Sequence, residues 1–127
     1  MQVCVIGCGH VGLVTGGCLA AIGHHVFCVD RDVERIRLLE EGRLPVYEPH
    51  LNELIRQSRA ASMLKLTNDQ ATALRTADAI FLCIGVPQLE NGESDFAGLD
   101  SAANQIARAV ETPKLVAIGP WPAPSSE

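Results

Sequence analysis

The chain has 127 residues, 47% of them hydrophobic and 20% charged, with a formal net charge of −5. That balance supports one globular domain around one core and excludes a disordered chain. The acidic charge, the lack of any Lys/Arg cluster and an aromatic content of 4% argue against nucleic acid or an anionic membrane as a partner. No secretory signal opens the sequence, and its apolar stretches are too short to span a bilayer, so a cytoplasmic location is expected. Five cysteines (Cys4, Cys8, Cys18, Cys28, Cys83), with no C-x-x-C among them, read as small hydrophobes in a reducing compartment.

Residues 2–6 form a continuous β-branched run, read as a buried parallel strand. Val11, Val14, Cys18, Leu19 and Ile22 recur at helical spacing and predict a helix over 11–22, stopped by Gly23. Gly12 and Gly16 share a face of it, which lets the helix lie close to the strands. A second strand over 25–29 ends at Asp30. Asp32 caps a helix carrying Val33, Ile36 and Leu39 that stops at Gly42. A loop with two prolines follows, then a short helix from Leu51 to about residue 60, a short strand over 64–67 and a short helix over 69–76. Residues 79–84 read as a buried strand and 85–94 as a polar loop. Asp95 reads as a cap for a helix whose stripe is Phe96, Leu99, Ala103, Ile106 and Val110. A last strand covers 114–118. Residues 1–118 are thus expected to form a dinucleotide-binding domain, and 119–127, with three prolines, an irregular tail. Alternating strands and helices predict a doubly wound, Rossmann-like α/β fold with helices on both faces. The expected strand order is 3-2-1-4-5, with a ligand at the carboxyl ends of strands one and four.

Gly7, Gly9 and Gly12 have the spacing G-x-G-x-x-G between the first strand and the first helix. A phosphate needs bare backbone N–H groups and a positive field. Gly7 permits the tight turn, Gly9 admits a pyrophosphate to the main chain, and Gly12 allows close packing. Asp30, eighteen residues after Gly12, is placed to accept from the adenosine ribose hydroxyls, and its charge favours NAD over NADP. Arg31 complicates this, since an adjacent Arg could hold a 2′-phosphate. Arg35, one helical turn on, either reaches the ribose or is a solvated surface charge. Cys8 lies near a helix N-terminus, where a thiol pKa could fall, but a small tolerated residue is the preferred reading. His10, His24, His25 and His50 show no metal-ligand spacing, and no carboxylate pair marks acid–base catalysis. No catalytic or metal residue is assigned.

The blocks around Gly7–Gly16, Cys28-Val29-Asp30, Pro45-Val46-Tyr47-Glu48-Pro49 and Gly85-Val86-Pro87-Gln88, with Gly92 and Asp95 behind, resemble one family. It is the N-terminal NAD-binding domain of the UDP-glucose/GDP-mannose dehydrogenases, and within it the UDP-glucose 6-dehydrogenases. The resemblance covers about residues 2–118. It implies oxidation of the C6 alcohol of a nucleotide sugar to a carboxylate, in two NAD-dependent steps through a cysteine-bound intermediate. It further implies that Gly7, Gly9, His10, Val11 and Gly12 meet the pyrophosphate and that Asp30 and Arg35 meet the ribose. Gly85, Val86 and Pro87 would lie beside the cofactor. It leaves the role of Glu48 open.

The chain departs from the family pattern at His10 (tyrosine), His50 (glycine) and Val86 (threonine). After the fifth strand, Gly119-Pro120-Trp121-Pro122 replaces a K-S-T-like segment. The expectation is a truncated chain without the substrate domain and nucleophilic cysteine, which binds NAD without turnover and meets a UDP-sugar only if that domain is supplied. Self-association through an uncovered apolar surface is expected. The alternatives are a nucleotide-sensing regulatory module of the potassium-transporter type, or a non-functional fragment.

Overall fold

The run Gln2–Ile6 forms β1, the central strand, and it is flanked on both faces because its side chains alternate between two apolar layers. The computed structural model describes residues 1–44, 48–85 and 87–119. In chain order β1 is followed by α1 (His10–Ala21), β2 (His25–Val29), α2 (Val33–Glu40) and α3 (Leu51–Ala60). Then come β3 (Leu64–Thr67), α4 (Gln70–Thr76), β4 (Ala79–Leu82), α5 (Ala97–Ala109) and β5 (Leu115–Ile118). The strands make one parallel sheet in the order β3-β2-β1-β4-β5, as the alternation predicts. The tail over 120–127, Val86 and Pro45-Val46-Tyr47 lie outside the described residues.

Val3 and Val5 of β1 join Val26, Cys28, Leu64 and Leu66 on the face covered by α1, α2 and α3. Cys4 and Ile6 join Val29, Ile80 and Leu82 on the face covered by α4 and α5. Helix ends follow local chemistry. The Asp32 carboxylate accepts from the N–H groups of Glu34 and Arg35 to start α2, and Asp69 accepts from Thr72 to start α4. Gly23 and Gly42 take positive φ just past α1 and α2.

Three expectations need correction. The apolar stripe of α1 is only partly inward: Val14 and Leu19 are half-buried against the core but Val11, Cys18 and Ile22 are exposed, whereas Gly12, Leu13, Gly16, Gly17 and Ala20 are buried. The helix is apolar all round, so hydropathy does not pick its inner face; side-chain size does. In α5 the inward residues are Leu99, Ala102, Ile106 and Ala109, while Phe96 and Ala103 face out. Phe96 stands at the N-cap, outside the helical phase, and the alanines suit either stripe. Finally, β4 ends at Leu82 rather than at residue 84. Cys83 N–H still reaches the Ile6 carbonyl, but β1 turns away at Gly7 and its ladder with β4 ends there. In the 85–94 loop Gln88 bridges Ser94 in antiparallel fashion, a small hairpin with Gly92 in its turn.

Candidate functional site

The β1–α1 turn is built by three glycines that do different things. Gly7 has φ +105°, and a Cβ there would lie 2.6 Å from the Cys83 carbonyl oxygen. A Cβ on Gly12 would stand 1.7 Å from the carbonyl oxygen of Gly7, so the first turn of α1 rests directly on the loop. Gly9 differs: its φ of −84° suits any residue, and nothing lies within 4 Å of the position its Cβ would take. Gly9, the residue before α1, has no side chain to cap it, and among the described residues no side chain is seen bonded to its first N–H groups. Its first N–H groups therefore meet open space above Gly9, with the positive end of the helix dipole behind them.

A cleft of about 250 Å³ opens at this point, at the carboxyl ends of β1 and β4. Gly7 and Gly9 line it from one side and Asp30, Arg31 and Arg35 from another. Cys83 and Gly85 approach from β4, and Gln70 and Gln105 close the rim from α4 and α5 with their side-chain amides hydrogen-bonded to each other. Pro87 lies on the exposed hairpin, where its carbonyl accepts from Asp95 N–H, and it does not line the cleft. Gly12 sits beneath the loop. The side chains of His10 and Val11 turn to a second hollow of about 670 Å³ between α1 and α3. Their backbone N–H groups belong to the uncapped first turn of α1.

Asp30 ties the cleft together. Its Oδ2 accepts from Cys8 N–H at 2.9 Å and lies 3.4 Å from Arg35 Nη1, while its Oδ1 accepts from Asp32 N–H at 2.9 Å. A carboxylate offers about four acceptor positions. At least one stays open to a ligand hydroxyl, and Arg35 can yield another. Burial pushes the Cys8 thiol up to about 12, with the nearby Asp30 charge adding to the rise. The helix terminus therefore does not activate Cys8 as a nucleophile. Burial likewise raises Cys4 to about 12 and holds Cys28 well above the usual thiol range.

Gln70, Gln105 and the Asp30–Cys8 bond were not evident from the sequence. Gln70 follows the Asp69 cap, so its place at the rim requires knowing that α4 starts at the ligand edge of the sheet. Among the described residues, no group of three His, Cys, Asp or Glu side chains is placed to hold a metal ion. Among the same residues no helix is long and apolar enough to cross a membrane.

The glycines, the open start of α1 and the Asp30 carboxylate suit a dinucleotide: at Gly9 the space a Cβ would take is empty. Residues 1–119 match the model of the UDP-glucose/GDP-mannose dehydrogenase family, NAD binding domain. The chain belongs to that family. It is an NAD-binding domain, which takes it away from the potassium-transporter alternative. A UDP-glucose 6-dehydrogenase of Pseudomonas aeruginosa is 41% identical over 106 residues, covering 84% of this chain and 23% of that protein. The Bacillus subtilis UDP-glucose 6-dehydrogenase YwqF is 40% identical over 116 residues, 91% of this chain and 26% of the relative. The crystal structure of a ternary complex of GDP-mannose dehydrogenase from Pseudomonas aeruginosa superposes with a TM-score of 0.86 at 33% identity. That match covers 93% of this chain and 28% of the other. The chain thus spans about a quarter of the length of the curated relatives it matches.

Proposed function

We propose that the cleft holds NAD with the pyrophosphate over Gly7 and Gly9, against the N–H groups of His10, Val11 and Gly12 at the start of α1. Asp30 accepts from the adenosine ribose hydroxyls, and its charge disfavours a 2′-phosphate. Arg35 shares the Asp30 carboxylate and is released toward the ribose when the hydroxyls arrive. Gly85, at the cleft wall after β4, lies beside the nicotinamide end. NAD supplies a hydride acceptor; the chain supplies donors, a carboxylate and a helix dipole in fixed positions. The observation that carries this reading is the open, uncapped start of α1 at one end of a cleft whose other end is Asp30.

The domain serves the oxidation of a nucleotide sugar at C6, with UDP-glucose the favoured substrate. The relatives at 40–41% identity carry that name, against 36% for a GDP-mannose 6-dehydrogenase. None of the cysteines here is placed as the nucleophile of such a reaction: burial raises the thiols of Cys4, Cys8, Cys28 and Cys83, and Cys18, though exposed, lies on α1 beside the second hollow and not in the cleft. A cytoplasmic setting agrees with five unpaired cysteines.

Calorimetric titration of the 127-residue chain with NAD and NADP tests the reading. NAD binding, with NADP weaker, and no NADH formed from UDP-glucose are the expected results. Absence of NAD binding overturns the cofactor assignment, and turnover of UDP-glucose overturns the account of the thiols.

A further inference from the structure

We propose that Glu48 and His10 form a strut that holds the glycine loop in its ligand-ready shape, with both as positioning residues for the cofactor. This rests on the reading of the cleft as the NAD site. His10 Nε2 lies 2.5 Å from Glu48 Oε1, a contact made across 38 residues of sequence. His10 is the first residue of α1, directly after Gly9, so its backbone stands where the phosphates arrive. Its ring, though, turns away from the cleft and meets Glu48 beside the hollow between α1 and α3.

Glu48 is itself held. Its carbonyl accepts from Leu51 N–H at the start of α3, and Leu51 and Ile55 of α3 are buried in the core. Leu54 and Ile55 of α3 pack against Gly17 of α1. The strut therefore joins the free end of α1 to a packed element. Since α1 lacks a side-chain cap, two carboxylates hold the loop from opposite sides: Asp30 through the Cys8 amide and Glu48 through the His10 ring. This gives Glu48 a role and explains how a histidine serves at a position inside the glycine loop.

The His10 ring bonds to Glu48 rather than to the other polar groups around it. The groups facing it are Glu48 and His50 from the preceding loop, Glu53 from α3, and the neutral Thr15 and Cys18 of α1 itself. Glu53 is already bonded to Arg56 and Gln57, which leaves Glu48 as the acidic partner in contact with the ring.

The test is calorimetric NAD titration of the whole chain. It compares the natural chain with H10Q, E48Q, the double variant and H50N as a control, each checked by thermal melting. H50N is expected to bind like the natural chain, and H10Q and E48Q each to bind roughly three- to tenfold more weakly while melting with the natural chain. The double variant should be no weaker than the weaker single one, because both break one contact. H10Q and E48Q binding like the natural chain, or losses that add in the double variant, overturn the strut while leaving the NAD assignment standing. A natural chain that binds no NAD overturns both.

Discussion

Gly9 and Gly12 are three residues apart in one motif, yet alanine should affect them in opposite ways. At Gly12 the new Cβ would stand 1.7 Å from the Gly7 carbonyl oxygen, half the 3.4 Å at which ordinary contact begins. Both sides of that clash are backbone: one the first turn of α1, the other the end of β1. Neither can move without displacing the sheet or the helix. Overpacking of a fixed site costs about 1–3 kcal/mol and sometimes more, and rigid backbone on both sides places G12A at about 3 kcal/mol or above. For a domain of this size that lowers Tm by about 10 °C or more. At Gly9 the backbone has φ −84° and the space is open, so G9A should fold normally, with stability unchanged or raised by up to about 1 kcal/mol. Its methyl group would instead occupy the space meant for the pyrophosphate. A tenfold or greater loss of NAD affinity, about 1.4 kcal/mol, is expected. Thermal melts and NAD titrations of the two variants are the assay. G9A binding NAD as tightly as the natural chain would refute the placement of the phosphate, and G12A melting with the natural chain would refute the close contact.

Asp30→Ala should weaken NAD binding and also cost about 1–3 kcal/mol of stability, because the Cys8 and Asp32 N–H groups lose their acceptor; urea melts measure the second effect. Raised thiol pKa values make the fold sensitive to alkali. A thiol that is neutral when folded and ionises on unfolding contributes fully below the ordinary value of 9.0, and that contribution is lost as pH climbs from 9.0 toward about 12. Each such thiol should therefore cost roughly 1 kcal/mol by about pH 10, and C4V should flatten the slope of urea midpoint against pH above 9.0 relative to the natural chain. Leu115, Val116 and Ile118 of the edge strand β5 are exposed. The chain should therefore self-associate in light scattering, and L115E with I118E should return it toward monomer; a monomeric natural chain would count against this surface.

Most of the fold was legible because strand and helix periods alternate cleanly and because glycines and aspartates mark the ends. Asp32 and Asp69 cap the helices that follow them, and Gly23 and Gly42 end the ones before. The inner face of α1 was legible from the spacing of Gly12 and Gly16 but not from its apolar residues. Val11 and Cys18 outrank glycine on any hydropathy scale, but the sheet lies too close for them and takes Gly12 and Gly16. In the site, Gly7, Gly9 and Asp30 could be found by spacing, since the motif fixes their distance along a βαβ unit; Arg35 could be read from the residues either as a ribose contact or as a surface charge. The Asp30–Cys8 and His10–Glu48 contacts could not. Each depends on how two loop ends meet in space, and spacing along the chain carries no record of that.

The small-residue face of α1 bears on the order in which the protein is assembled. Burying glycine removes little apolar area from water, so β1, α1 and β2 alone gain little from coming together. The helix that packs on α1 is α3, about thirty residues later in the chain, with Leu54 and Ile55 against Gly17. The phosphate cradle lies in the first twelve residues, but its permanence depends on a helix that does not touch the cleft. On the ribosome, the glycine loop should remain unformed until α3 has emerged and closed over α1.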